Sequence, residues 1–259
     1  LVACLYAYYI QLRDGLGVAG IRDYVAWGMY IANFVFFVAV SLVGMLISAV
    51  MGLLGQNWVK PITRVSEIVA LGFVLVAGLV IVTDMGRPDR FHHIIFYGRL
   101  QSPIIWDVII ISTYLVISFI LLYISILPDI AICRDRLTEI PKWKKMLYRI
   151  TANNWSNHPE QIAMLKKISK ILAVAVLPVA FAIHTVTSWL FATTWRPGWD
   201  STNLGPYFVS GAFMVGAAVI IFAMYLIRIQ LNLKSYITVI HFDKMGRLLV
   251  LLSLVYLYF

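Results

Sequence analysis

Five long apolar runs constrain this chain more than any other feature. They are Trp27–Leu54, Ile62–Thr83, Ile104–Leu127, Ile168–Ala192 and Tyr207–Ile227. As a helix, each is long enough to cross a hydrocarbon core of roughly 30 Å. A water-soluble domain has no interior able to bury five such runs. The expected fold is therefore an all-α integral membrane protein, a polytopic transmembrane helix bundle. Composition agrees, with 61% apolar and only 13% charged residues. Leu1–Leu12 and Leu248–Phe259 each read as about half a span, and the chain has no initiator Met. At least seven helices are expected here, the first and last truncated, with about eight to ten in a full-length chain. The whole of 1–259 reads as one transmembrane domain carrying a basic loop at about 128–167.

The net charge of +9 does not point to nucleic acid, because it is divided unevenly between the two ends of the bundle. Alternating the loops across the membrane puts Arg13, Arg22, Arg87, Arg90, Arg99 and Arg196 on one face, here called A. The other fifteen of the 21 basic residues fall on face B, nine of them between Arg134 and Lys170. The positive-inside rule then places face B in the cytoplasm and face A outside. A multi-pass protein of a prokaryotic cytoplasmic membrane is expected. Within the B loop, Ile140–Ile150 (IPKWKKMLYRI) mixes cations with Trp, Met, Leu and Ile. It suits an amphipathic surface helix and, equally, a solvated basic loop.

Ionisable residues inside apolar runs are costly, roughly 2.5–3.5 kcal/mol at a helix centre, and usually face a cavity or a partner. Asp84, Asp107 and His184 come from three different runs and lie near the same face, A. They are the candidate catalytic residues, able to exchange protons with a polar head group. Each has a plainer reading. Thr83–Pro88 (TDMGRP) closes a helix at Gly86 and Pro88, and Arg87 can pair with Asp84 or anchor at head groups. Ser102-Pro103 opens the next helix, where Asp107 suits the positive helix N-terminus. His184 can be a hydrogen-bonded structural residue, with Thr185, Thr187 and Ser188 satisfying nearby carbonyls.

Further candidates flank these three. Tyr30 and Asn33 stand one turn apart near the A end of their helix, and Trp106 adjoins Asp107. Arg196 and Asp200 can pair across the mouth of a pocket. At the B end, Arg64 and Glu67 share a helix face and form either the start of a proton path or a structural ion pair. Ser41, Gly44, Ser48 and Ala49 form a small face suited to close helix packing. Of five His, His184 alone is well inside a run, which argues against a haem held between two His. Cys4 and Cys133 suffice for neither a disulfide framework nor an iron–sulfur cluster. No metal site is expected.

The motifs TDMGRPDRF (Thr83–Phe91), SPIIWD (Ser102–Asp107), HTVTSW (His184–Trp189) and RPGWDST (Arg196–Thr202) occur in this order and topology. Together with GLGVAGIRDYVAWGMYIANFVF (Gly15–Phe36) and RVSEIVA (Arg64–Ala70), they resemble the NrfD/PsrC family. These are membrane subunits of polysulfide-reductase-type complexes, and the chain is most like the quinol-binding subunits of alternative complex III and its relatives. The resemblance covers most of Gly15–Arg228. It implies a bundle without a redox cofactor of its own, binding a menaquinone or ubiquinone near the outer, periplasmic face. Its implied partners are an extrinsic, ferredoxin-like iron–sulfur subunit, a molybdopterin-type or multihaem cytochrome subunit, a second membrane subunit and membrane lipids.

By the same resemblance, Asp84 and Asp107 match quinone-site residues; by their positions, His184, Trp106, Arg87, Tyr30 and Asn33 are further quinone-binding candidates, and Glu67 and Arg64 are the proton-path candidates. The chain departs from close relatives at Asp84, where His is frequent, and at Leu42, where many have His. The implied function is electron exchange between a quinone and the iron–sulfur subunit of a respiratory oxidoreductase, with proton translocation as a coupled activity. Two alternatives are a proton channel or secondary transporter using the same acids, and a purely structural membrane anchor.

Overall fold

The computed structural model describes residues 2–22, 28–137, 139–193 and 199–259. Among them are nine α-helices: α1 (Val2–Asp14), α2 (Met29–Leu53), α3 (Lys60–Asp84), α4 (His92–Tyr97), α5 (Pro103–Arg136), α6 (Lys142–Ala152), α7 (Pro159–Ala192), α8 (Leu204–Gln230) and α9 (Val239–Tyr258). The helices α2, α3, α5, α7 and α8 are long and apolar enough to cross a membrane. Their outward side chains, such as Leu79, Ile109, Phe119 and Phe222, are large, apolar and exposed. Such a surface suits lipid and not water.

The helix α2 is the axis, packed against α3, α7 and α8. The small residues of α2 explain its central place. A Cβ on Gly44 would stand 2.5 Å from the Ser66 carbonyl and 2.9 Å from Ala70 Cβ, so α3 lies directly on its backbone. Gly216 of α8 similarly admits Val43 of α2. Without water between helices to drive association, such close packing holds a membrane bundle together. The helix α5 packs on α3 and α7, α6 on α5, and α9 on α8. We call the end where α3 finishes and α5 begins the A end, and the opposite end B.

Two expectations change. The basic stretch at about 128–167 is mostly helix: α5 runs past the internal Pro128 to Arg136, α6 follows, and α7 begins at Pro159. Asp129 and Cys133 thus stand on α5, and not in a loop. The last segment is also longer than Leu248–Phe259, because α9 starts at Val239, where Thr238 and His241 form a capping box. Charged Asp243, Lys244 and Arg247 hid this start within a polar stretch.

Candidate functional site

A cleft of about 570 Å³ opens at the A end between the tips of α2, α3, α5 and α7, with α4 at its side. Ile31, Phe34, Ile81, Met85, Phe91 and Leu190 give it apolar walls. Asp84 and Asp107 are its two ionisable lining residues.

Local sequence places both acids. The α-helix α3 ends at Asp84, and the Pro88–Arg90 turn and α4 carry the chain across to Ser102-Pro103. Pro103 starts α5, while the Ser102 hydroxyl makes no capping bond and lines the cleft instead. Trp106 turns outward and its indole N–H donates to the Leu100 carbonyl at 2.5 Å. One residue further is about 100° of helix rotation, so Asp107 turns inward and is only 8% exposed.

Asp107 has a partner on α7. Thr187 Oγ1 lies 2.6 Å from Asp107 Oδ1 and 2.7 Å from the Ile183 carbonyl. A threonine hydroxyl has a single proton to donate. With Asp107 protonated, the carboxyl donates to Thr187 and Thr187 donates to Ile183, so both contacts are hydrogen bonds. With Asp107 ionised, the same proton must be shared or moved to the carboxylate. The pair is therefore a proton-responsive link between α5 and α7.

The other candidates divide between several places. His184 is fully buried, with its ring 5.9 Å from Phe208 and neither nitrogen hydrogen-bonded to a side chain. It lies one turn below Thr187, behind the cleft and off its lining. Tyr30 faces a neighbouring cleft of about 420 Å³, where its hydroxyl donates to Gln11 Oε1 at 2.6 Å. Gln11 Nε2 in turn donates to the Thr83 carbonyl at 2.7 Å, tying α1 to the end of α3 beside Asp84. Asn33 and Arg87 are exposed and Trp106 faces the 98–102 turn. Among the described residues no ion pair joins Arg87 to Asp84. The expected Arg196–Asp200 pair lies outside the described residues, because Arg196 is not among them.

At the B end, Arg64 does not pair with Glu67. It forms an ion pair with Asp129 of α5, brought within reach by the extension of that helix. Glu67 is 2% exposed and lines a separate cleft of about 390 Å³ with Ser48, Ser125, Lys166 and Lys170. Ser48 donates to Glu67 Oε1 at 2.5 Å, while Oε2 has no hydrogen-bond partner. Between the ends, the buried Tyr114 hydroxyl donates to the Ser41 carbonyl at 2.8 Å. Leu42 is fully buried beside this pair in the core and lines neither cleft.

Sequence reading missed Gln11 and the Thr187–Asp107 link. A lone amide in the run Leu1–Leu12 was the available signal for Gln11. For Thr187 only its backbone bond to the preceding turn was foreseeable.

The family model of polysulphide reductase, NrfD, matches residues 17–259. The chain belongs to the NrfD family. This NrfD-family chain is 31% identical over 222 residues to a Halobacterium salinarum protein provisionally named as a membrane subunit of dimethyl sulfoxide reductase, over 85% of the chain and 48% of the relative. It is 24% identical to a selenate reductase subunit of Mesobacillus selenatarsenatis, over 83% of the chain and 51% of the relative. The Hdr-like menaquinol oxidoreductase integral membrane subunit of Archaeoglobus fulgidus is 22% identical, over 91% of the chain and 58% of the relative. The chain thus spans about half the length of the curated relatives it matches. It is a multi-pass membrane protein of a family whose named relatives are reductase and oxidoreductase subunits.

Proposed function

We propose that the A-end cleft binds a quinone or quinol head group, and that the chain is the quinone-linked membrane subunit of an oxidoreductase complex. The observation that carries this reading is the pair Asp84 and Asp107 on one mainly apolar cleft. Ring binding needs an apolar slot, and proton exchange at the ring oxygens needs acceptors within reach. Oxidation of a bound quinol would release two protons and two electrons. Asp107 and Asp84 would take the protons, and Thr187 would hold Asp107 in place. The electrons would pass to an extrinsic iron–sulfur subunit. The menaquinol named for the Archaeoglobus relative supports this substrate class. By charge distribution the cleft opens at the outer face.

An azido-quinone photolabel tests the reading on the purified complex. Label is expected in the segments 81–85 and 102–108, and an excess of quinol should compete it away. Label confined to other segments would overturn the assignment.

A coupled movement of protons is a second part of the proposal. Tyr114 stands two turns below Asp107 on α5, and Ser118 one turn further. The Ser66 hydroxyl is buried without a hydrogen-bond partner, Ser118 stands beside Tyr114, and Ser125 stands beside Glu67. In this reading these groups would serve as steps of a route from the A-end cleft toward the B end. Glu67→Gln is expected to retain quinol oxidation in detergent but to reduce proton movement across proteoliposomes by about tenfold. Unchanged proton-to-electron stoichiometry would remove Glu67 from the route.

A further inference from the structure

The helix α6 has three distinct faces. Tyr148, Thr151 and Ala152 turn inward, with Ala152 fully buried. The second face carries Trp143, Met146, Leu147 and Ile150, which are 64%, 64%, 50% and 64% exposed. Their spacing of three, one and three residues puts all four on one stripe. Lys142, Lys144, Lys145 and Arg149 occupy the flanks and the remaining side, and the helix has no acidic residue. Nothing else among the described residues covers the apolar stripe.

Two bonds fix where this helix stands. The Tyr123 hydroxyl donates to the Thr151 carbonyl at 2.7 Å. The Arg134 guanidinium donates to the Trp155 carbonyl at 2.8 Å. Tyr123 belongs to the apolar run Ile104–Leu127, so the first bond holds the end of α6 at the edge of the hydrocarbon. Arg134 is about three turns further along α5, in its polar extension.

We propose that α6 is a membrane-surface anchor whose Trp143–Ile150 stripe enters the head-group boundary and whose cations bind anionic phospholipid head groups. Charge and depth together select lipid as the occupant. An acid-free helix with cations on both sides of an apolar stripe is complementary to an anionic bilayer surface. Trp143 has the amphipathic ring that suits this interface, and Lys144 stands 5.4 Å over it. Such an anchor would hold the B ends of α5 and α7, which it connects, at a fixed depth. The proposal goes beyond quinone binding and depends on no property of the A-end cleft.

The test uses the assembled complex in lipid nanodiscs, with Cys4 and Cys133 changed to Ser. A bimane label is placed by Leu147→Cys, or by Lys145→Cys as the polar-side control. Lipid carrying a shallow nitroxide on its acyl chain is expected to quench the label at 147 at least threefold more than at 145. Nanodiscs containing phosphatidylglycerol should quench more than pure phosphatidylcholine, and salt should narrow the difference. Equal, weak quenching at both positions would mean a solvated helix and overturn the proposal. So would protection of position 147 by a co-purifying subunit in lipid-free detergent. Both labelled variants keep the packed face intact, and assembly is checked by size-exclusion chromatography.

Discussion

Asp107→Asn is expected to cut quinone-linked turnover by about two orders of magnitude or more, the scale of losing a positioned proton acceptor. The assembled complex should remain. Asn has the shape of Asp, and its side-chain oxygen can still accept from Thr187, 2.6 Å away in the native pair. What it cannot do is cycle a proton. Steady-state quinol oxidation by purified complex gives the rate, and subunit stoichiometry gives the assembly control. Native turnover in the variant would sink the proposed role of Asp107. Thr187→Val is the milder companion. It removes the link to α7 while leaving the carboxyl, at a cost of about 1.5 kcal/mol, or roughly tenfold. If Thr187 acted only on folding, its loss would lower yield and leave the rate per complex unchanged.

Gly44→Val has the largest expected effect on the fold. Even the first carbon of the new side chain meets the Ser66 carbonyl at 2.5 Å and Ala70 at 2.9 Å. The Ser66 carbonyl belongs to a helix backbone and cannot move alone, so α2 and α3 must separate. Overpacking of this kind costs about 1–3 kcal/mol and sometimes more. The displaced α3 also carries Glu67 near one cleft and Asp84 in the other. Thermal stability in detergent should fall well below that of the native chain, with a large loss of folded protein. Gly52→Val is the control, because its Cβ would meet open space on the same helix α2. Comparable losses in both variants would show that α2–α3 contact is not the cause.

Much of the candidate site was legible because hydrocarbon makes polar residues expensive. Asp84, Asp107, His184 and Glu67 stood out against apolar runs for that reason alone. Helix stops at Gly86 and Pro88 and the start at Pro103 fixed which end each acid occupies. The reading weakened where it depended on rotation about a helix axis. Trp106 and Asp107 are adjacent, yet one faces out and the other in. Tyr30 and Asn33 share a turn, yet one binds Gln11 while the other is exposed.

By itself, the sequence determined the solvent and the layout of this chain. Run lengths set the spans, the basic residues distinguish the two ends, and small residues mark α2 as a helix others can approach closely. Only tertiary structure decided the partners. Arg64 goes to Asp129 and not to Glu67, because α5 continues two turns beyond its apolar run. Asp107 meets Thr187, eighty residues away, while His184 falls behind the cleft. The physical reason is common to all three. A helical period says which residues share a face, but which neighbour that face meets depends on how far each helix extends and how closely its backbone is approached.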